Sequence, residues 1–263
     1  GHTKTVTCLC WSPHDPELLV SGDISGRLFQ WTLAEDQGES GSLLGEHEGR
    51  SIVHADWDPI RTPYVAIADT HGLVSVWVVS NGSSGRAAAD QERGAEATKR
   101  SLFTRNEKFT YKKDRKSSTS ANNRATVLRW NPKQVGMLLV GHLDGSWIMW
   151  DDNDRKQWCK PQYATGEAAK SEIVDMAWDP LGANCMVAAY ACGVTVMWDV
   201  ETSSQLSTFQ KQPLGIRGMA WLPWAPGLFM TVNNSNCVAK LWNVSQREPL
   251  ETVRLGGTGV AMS

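Results

Sequence analysis

Two cysteines and a few histidine–carboxylate neighbours are the residues of this chain whose types and spacing hint at chemistry. Cys8 and Cys10 stand two apart, which on a β-strand puts both thiols on one face, with His2 close in sequence as a third metal donor. Zinc sites usually draw four ligands from recognisable pairs, and neither Cys-x-x-Cys nor His-Glu-x-x-His occurs, so two core thiols are the commoner outcome. Asp69 with His71, and His142 with Asp144, bring carboxylate and imidazole together in turns, a pairing capable of acid–base work. Glycine-rich phosphate loops and the Gly-x-Ser-x-Gly nucleophile elbow are missing. The expectation is a protein that is not an enzyme, with no metal, cofactor or small-molecule substrate.

The elements that hold these residues are marked by tryptophan. Five apolar segments end in Trp followed one residue later by Pro, at Trp11, Trp57, Trp130, Trp178 and Trp221. Each has a second Trp downstream, at Trp31, Trp77, Trp150, Trp198 and Trp242, separated by 20 residues in four pairs and 21 in the fifth. Between them lies a strand-length apolar run such as Met137-Leu138-Leu139-Val140, bounded by turn residues, so strand is favoured over helix. A tight turn then ends in Gly26, Gly72, Gly145 or Gly193, with Cys237 in the fifth copy; glycine suits the positive φ of such hairpins. The third run ends on the second Trp. Fourth strands are expected within Gly41–Leu44, Gln157–Tyr163, Gln205–Phe209 and Pro249–Leu255. The scarcity of polar alternation implies sheets covered on both faces.

Bulk properties exclude less. A net charge of −2 gives no general reason to bind nucleic acid or an anionic membrane. Six scattered cysteines read as thiols in a reducing, cytoplasmic setting, and no stretch reaches the roughly 20 apolar residues that span a bilayer. The opening Gly1-His2-Thr3 has neither an initiator Met nor a signal peptide, so the chain is expected to begin within a longer protein.

The pattern resembles the WD-repeat family, in which Gly-His opens each repeat and Trp-Asp closes it about 30 residues later. Gly1-His2 precedes Trp31 at that distance, Trp150-Asp151 and Trp198-Asp199 carry the full closing pair, and Trp242-Asn243 nearly does. The run Leu214–Trp224 is similar to a stretch of one large multi-propeller member of that family. The resemblance implies an all-β fold: a β-propeller of five four-stranded blades at about 1–47, 48–110, 125–164, 171–210 and 214–255. It is expected to belong to a larger, seven-bladed ring, a closed five-bladed ring being the alternative. It also implies a hydrogen-bonded set of His, Ser or Thr, Trp and a turn Asp six residues before the Trp. Those turn positions hold Ser25, His71, Asp144, Cys192 and Asn236, so most blades are expected to lack this polar staple. Residues two earlier, Asp23, Asp69, His142, Tyr190 and Asn234, fall where the family commonly presents a partner-binding rim, although an ordinary solvated turn explains each equally well. Trp224, between Pro223 and Pro226, is a contact anchor if exposed, with packing beneath its own turn the slightly favoured reading.

The second interval between first tryptophans is 73 residues where the others are 46, 48 and 43. The surplus lies within Gly82–Arg124, which holds eleven Lys or Arg against five Asp or Glu. Its first half has little to bury and is expected to be a mobile loop. Leu102–Thr104 or Phe109–Tyr111 can supply the second blade's outer strand. Lys112, Lys113, Arg115 and Lys116 can attract an acidic protein or RNA phosphates, although a solvated tether is the commoner fate. Repeats without a catalytic motif favour a protein–protein interaction scaffold. The competing classes are RNA or acidic-partner binding through the insertion, and an enzyme or small-molecule binder at the central channel.

Overall fold

Each tryptophan pair marks one antiparallel sheet. The computed structural model describes residues 1–34, 38–47, 49–79, 124–154, 156–181, 184–233 and 238–254. The first sheet is β1 (Val6–Trp11), β2 (Leu18–Asp23), β3 (Arg27–Ala34) and β4 (Gly38–Glu46), in that spatial order. The second has three described strands, β5 (Ile52–Trp57), β6 (Tyr64–Asp69) and β7 (Val74–Val78). Both candidates for its outer strand lie outside the described residues. The third is β8 (Ala125–Trp130), β9 (Met137–His142) and β10 (Ser146–Asp151), edged by β11 (Lys156–Gln157) and β12 (Gln162–Tyr163). The fourth runs β13 (Ile173–Trp178), β14 (Cys185–Tyr190), β15 (Thr195–Asp199) and β16 (Ser204–Thr208). The fifth runs β17 (Ile216–Trp221), β18 (Leu228–Asn233), β19 (Val238–Asn243) and β20 (Glu251–Arg254).

Register makes the copies equivalent. In every sheet one residue of the second strand lies opposite both tryptophans: Leu19 between Trp11 and Trp31, Val65 between Trp57 and Trp77, Leu138 between Trp130 and Trp150. Met186 and Phe229 do the same for the last two pairs. Each first strand also carries an irregularity after its first paired residue, which leaves Thr7, Val53, Thr126, Val174 and Arg217 as the extra residues of five matching bulges. The third sheet departs at its edge, where Trp158–Pro161 interrupts the fourth strand. Pro161 has no N–H for the ladder, and the break leaves Trp158 40% exposed.

The chain forms two compact units, Gly1–Ser118 and Thr119–Ser263. In the first, β5 packs on β1 and β2 around Leu18, Val20, Ile52, Trp57 and Val65. In the second, β13 packs on β8 and β9, and β17 on β13 and β14. One core of this unit collects Leu139, Trp147, Met176 and Trp198; another joins Phe209 to Phe229 and Trp242 at ring separations of 5.0 and 5.9 Å. Burying an aromatic of this size contributes about 2 kcal/mol, so face-to-face stacking of sheets is the main source of stability. The second strands are buried on both faces, which is why their sequences show no polar alternation, whereas β16 and β20 are largely exposed edges.

Stacked neighbours are also latched by indole. Trp57 donates its Nε1–H to the carbonyl of Cys10 (2.9 Å), Trp178 to that of Arg129 (3.3 Å) and Trp221 to that of Ala177 (3.2 Å). Each acceptor is the residue before the preceding sheet's first tryptophan. No helix among the described residues is long and apolar enough to cross a membrane.

Candidate functional site

Asp23 ends β2, where its carboxylate must serve the turn that follows. One oxygen accepts the backbone N–H groups of Ser25 (2.8 Å) and Arg27 (3.1 Å), and the other accepts His2 Nδ1–H at 2.8 Å. The far ring nitrogen of His2 lies 2.6 Å from Ser21 Oγ, which accepts the Trp31 Nε1–H at 2.7 Å. An indole N–H only donates and a carboxylate only accepts, so the chain of protons runs Trp31 to Ser21 to His2 to Asp23. The second sheet repeats it: Trp77 donates to Ser75 (2.7 Å), Ser75 meets His47 Nε2 (2.7 Å), and His47 Nδ1 meets Asp69 (3.3 Å).

These are Ser–His–Asp arrangements with the connectivity of a hydrolytic triad, but their surroundings prevent that chemistry. Ser21, Asp23 and Asp69 are essentially without solvent exposure, and each serine oxygen is occupied by an indole N–H. The sets act as clamps that tie the loop before each sheet to its second hairpin. Burial alone would raise the Asp23 carboxyl, but hydrogen bonds from Ser25, His2 and the Arg27 N–H outweigh it and bring the pKa to about 2. Asp69 is held low in the same way by His47 and two backbone N–H groups, against the opposing effect of burial.

A depressed carboxylate pKa contributes stability above its unfolded value, near 4, and that contribution is lost as pH falls through the folded value near 2. Asp23→Asn is therefore expected to destabilise the Gly1–Ser118 unit by about 2 kcal/mol at pH 7, with the deficit shrinking toward zero by about pH 2. Urea unfolding at the two pH values measures this; a deficit undiminished in acid refutes the ionic role.

Four of the five residues expected at a polar rim are described, and none of the four faces solvent. Asp23, Asp69, His142 and Tyr190 all end second strands, and all four side chains are buried. Asp23 and Asp69 turn inward because the N–H groups of the hairpin and the histidine of the preceding loop find their acceptor there. In the third sheet His142 takes the aspartate's place and meets Ser146, whose hydroxyl donates to Asp144 at 2.6 Å. Burial holds the His142 imidazole below its ordinary value in spite of Asp144, so it is uncharged at neutral pH. Tyr190 fills the position in the fourth sheet, its phenol pushed upward by burial. In the fifth the position is Asn233, whose Oδ1 accepts the Val238 N–H, and Gln212 and Trp242 both donate to Thr231 Oγ1 (2.7 and 2.9 Å). Asn234, Asn236 and Cys237 lie outside the described residues, as do Lys112, Lys113, Arg115 and Lys116.

Most sheets lack the polar staple, as expected, but the sheets that keep it are the first and second and not the third, where Asp144 stands at the turn position. Two sheets have the full set, because the aspartate stands eight residues before its tryptophan, not six, and the hydroxyl can come from either member of one cross-strand pair. Ser21 sits opposite Phe29, and Ser75 opposite Ile67, on the same rung. Burial raises the Cys8 thiol to about 11, and the described residues contain no group of three or more His, Cys, Asp or Glu able to hold a metal ion.

Several large apolar side chains stand in solvent, Leu9 and Trp11 of β1 among them, and three lie at turns between first and second strands. Trp224 is 78% exposed, in contrast to the favoured expectation that it packs under its turn, because Trp221 already fills the inter-sheet position. Leu181 and Val135 occupy the corresponding turns of the other two sheets of the Thr119–Ser263 unit and are also exposed. At this same end, between the third and fourth sheets, a cleft of about 70 Å³ is lined by Asn131, Gln134, Met149, Trp158, Trp178, Asn184, Val200 and Glu201. Sequence reading passed over Leu181, Val135 and Trp158; a large apolar residue in a Pro-containing turn was the available signal.

No protein-family model matches the chain. It is 24% identical over 262 residues to "GATOR2 complex protein MIOS" of Danio rerio, covering 94% of this chain and 28% of that protein. It is 29% identical over 97 residues to "Protein transport protein sec31" of Schizosaccharomyces pombe, covering 36% of this chain and 8% of that protein. The chain thus spans under a third of the length of these relatives. The likeness of Leu214–Trp224 to one particular multi-propeller protein finds no support among them. A chain of the solved structure described as "Crystal Structure of Mitotic Checkpoint Complex" superposes with a TM-score of 0.68 at 18% identity, over 96% of this chain and 64% of that one. Repeating tryptophan register, sheets stacked face to face and this structural likeness identify the fold as that of a WD-repeat β-propeller.

Proposed function

We propose that the chain is a protein-interaction scaffold, not an enzyme, and that it works on the cytoplasmic side of the cell within a multiprotein assembly. The observation that carries this reading is the face formed by the first-to-second-strand turns of the Thr119–Ser263 unit, where Trp224, Leu181 and Val135 stand in solvent. An exposed tryptophan held on a rigid two-proline turn loses little entropy on binding, and tryptophan is the side chain most enriched at binding hot spots. Two supports come from likeness: a relative is named as a protein of the GATOR2 complex, and the structural neighbour belongs to a checkpoint complex. Asp23 and Asp69 are committed to internal clamps and His142 and Tyr190 are buried, which favours this apolar face for partner contact.

Trp224→Ala is expected to weaken partner capture by about 30-fold, the loss of one 2 kcal/mol anchor. Quantitative affinity purification with wild-type and variant chains measures it, with melting curves to confirm an unchanged fold. Recovery of the same proteins in the same amounts by both chains overturns the proposal.

A further inference from the structure

We infer that the cleft between the third and fourth sheets is a receptor for one arginine side chain of a protein partner. Its size comes first: about 70 Å³ is far below the roughly 300 Å³ at which small-molecule sites begin, so it fits a single side-chain head and no nucleotide or metabolite. Its floor is apolar, made by the buried Met149, Trp178 and Val200. Its open wall is the indole of Trp158, brought there by the interruption between β11 and β12, and a planar cation stacks favourably on such a ring.

The polar groups discriminate among cations. Glu201 contributes a carboxylate, fixed by the Asn184 Nδ2–H, which donates to Oε2 at 2.5 Å and leaves Oε1 for a ligand. Gln134 and Asn184 add carboxamide oxygens, acceptors suited to a guanidinium with five N–H donors in a plane. An ammonium offers three donors around a point and cannot both stack and fork. The surrounding charge has the matching sign: Asp151, Asp152, Asp154, Asp179, Asp199 and Glu201 flank or line the cleft in sequence, against Lys133, Arg155, Lys156 and Lys160. Two of the flanking amines have partners of their own, Lys133 the carbonyl of Leu181 and Lys156 the carboxylate of Asp154. The inference deepens the scaffold reading and rests on it only for the source of the arginine.

Acetyl-arginine amide is the probe, titrated into the full chain and followed by the indole ¹⁵N–¹H signal of Trp158, assigned with Trp158→Phe. A saturable shift in the millimolar range is expected. Citrulline amide, the uncharged analogue of the same shape, is expected to leave the signal in place, and lysine amide to bind more weakly. Glu201→Gln, an exposed change that leaves the fold intact, is expected to weaken arginine amide about five-fold. An unmoved Trp158 signal, equal shifts from citrulline or lysine amide, or undiminished affinity in Glu201→Gln would each overturn the assignment. The titration involves no partner, so its failure leaves capture through Trp224 standing, and loss of the Trp224 effect leaves the titration standing.

Discussion

Asp175→Ala is expected to cost the Thr119–Ser263 unit about 3 kcal/mol, a fall of about 10 °C in the melting temperature of that unit. The side chain stands where three sheets meet. Its Oδ1 accepts Arg129 Nη2–H from β8 at 2.7 Å and the Met176 N–H at 2.8 Å, and its Oδ2 accepts the Met219 N–H of β17 at 2.9 Å. Arg129 in turn donates to the carbonyls of Met176 and Leu128. Removing the carboxylate leaves a guanidinium and two backbone donors without their acceptor in a partly buried place, which costs far more than the pair gains over an apolar substitute. Asp175→Asn keeps an acceptor and is expected to lose only about half as much. Calorimetry on the three chains measures the difference. An Asp175→Ala chain that melts within 2 °C of wild type would show that the junction is incidental.

Gly193→Ala is expected to be of similar size, for a different reason. Gly193 ends the hairpin turn after Tyr190 with φ +92°, and a Cβ there would stand 2.0 Å from the carbonyl oxygen of Gln212. That oxygen belongs to backbone locked in place, since Gln212 N–H donates to the carbonyl of Gly193 at 2.8 Å. The clash cannot relax without pulling the loop before β17 from the turn, so about 3 kcal/mol is expected. Gly166→Ala separates backbone strain from clash. Gly166 has φ +68° in the same unit with nothing within 4 Å of a Cβ, so strain alone operates, at about 1 kcal/mol. Equal losses in the two variants, measured by denaturant unfolding, would refute the steric account.

The two outcomes rest on features of unequal visibility in the sequence. Gly26, Gly72, Gly145 and Gly193 were readable as left-handed turn residues, and all four have φ between +79° and +92°, because a hairpin's closing residue is dictated locally. Tryptophan spacing was readable for the same reason, since strand length and turn length set it. The clamps were not, because Ser75 substitutes across the sheet for the hydroxyl that Ser21 supplies from the other strand, and a linear pattern carries no information about rungs. Burial of Asp23 and Asp69 was missed because a turn aspartate looks the same whether it faces water or its own backbone. Trp224 was ambiguous between its two prolines until Trp221 was seen to fill the inter-sheet position. The fifth sheet's turn is one residue longer than the others, which moved the equivalent position from Asn234 to Asn233.

The indole latches have a direction. Trp57, Trp178 and Trp221 each reach back to a carbonyl made earlier in the chain, at Cys10, Arg129 and Ala177, and none of the three reaches forward. A ribosome releases the chain in that same order, so within each unit the acceptor strand is already outside the exit tunnel when the latching tryptophan emerges. Each new module thus has a completed strand to latch onto as it emerges.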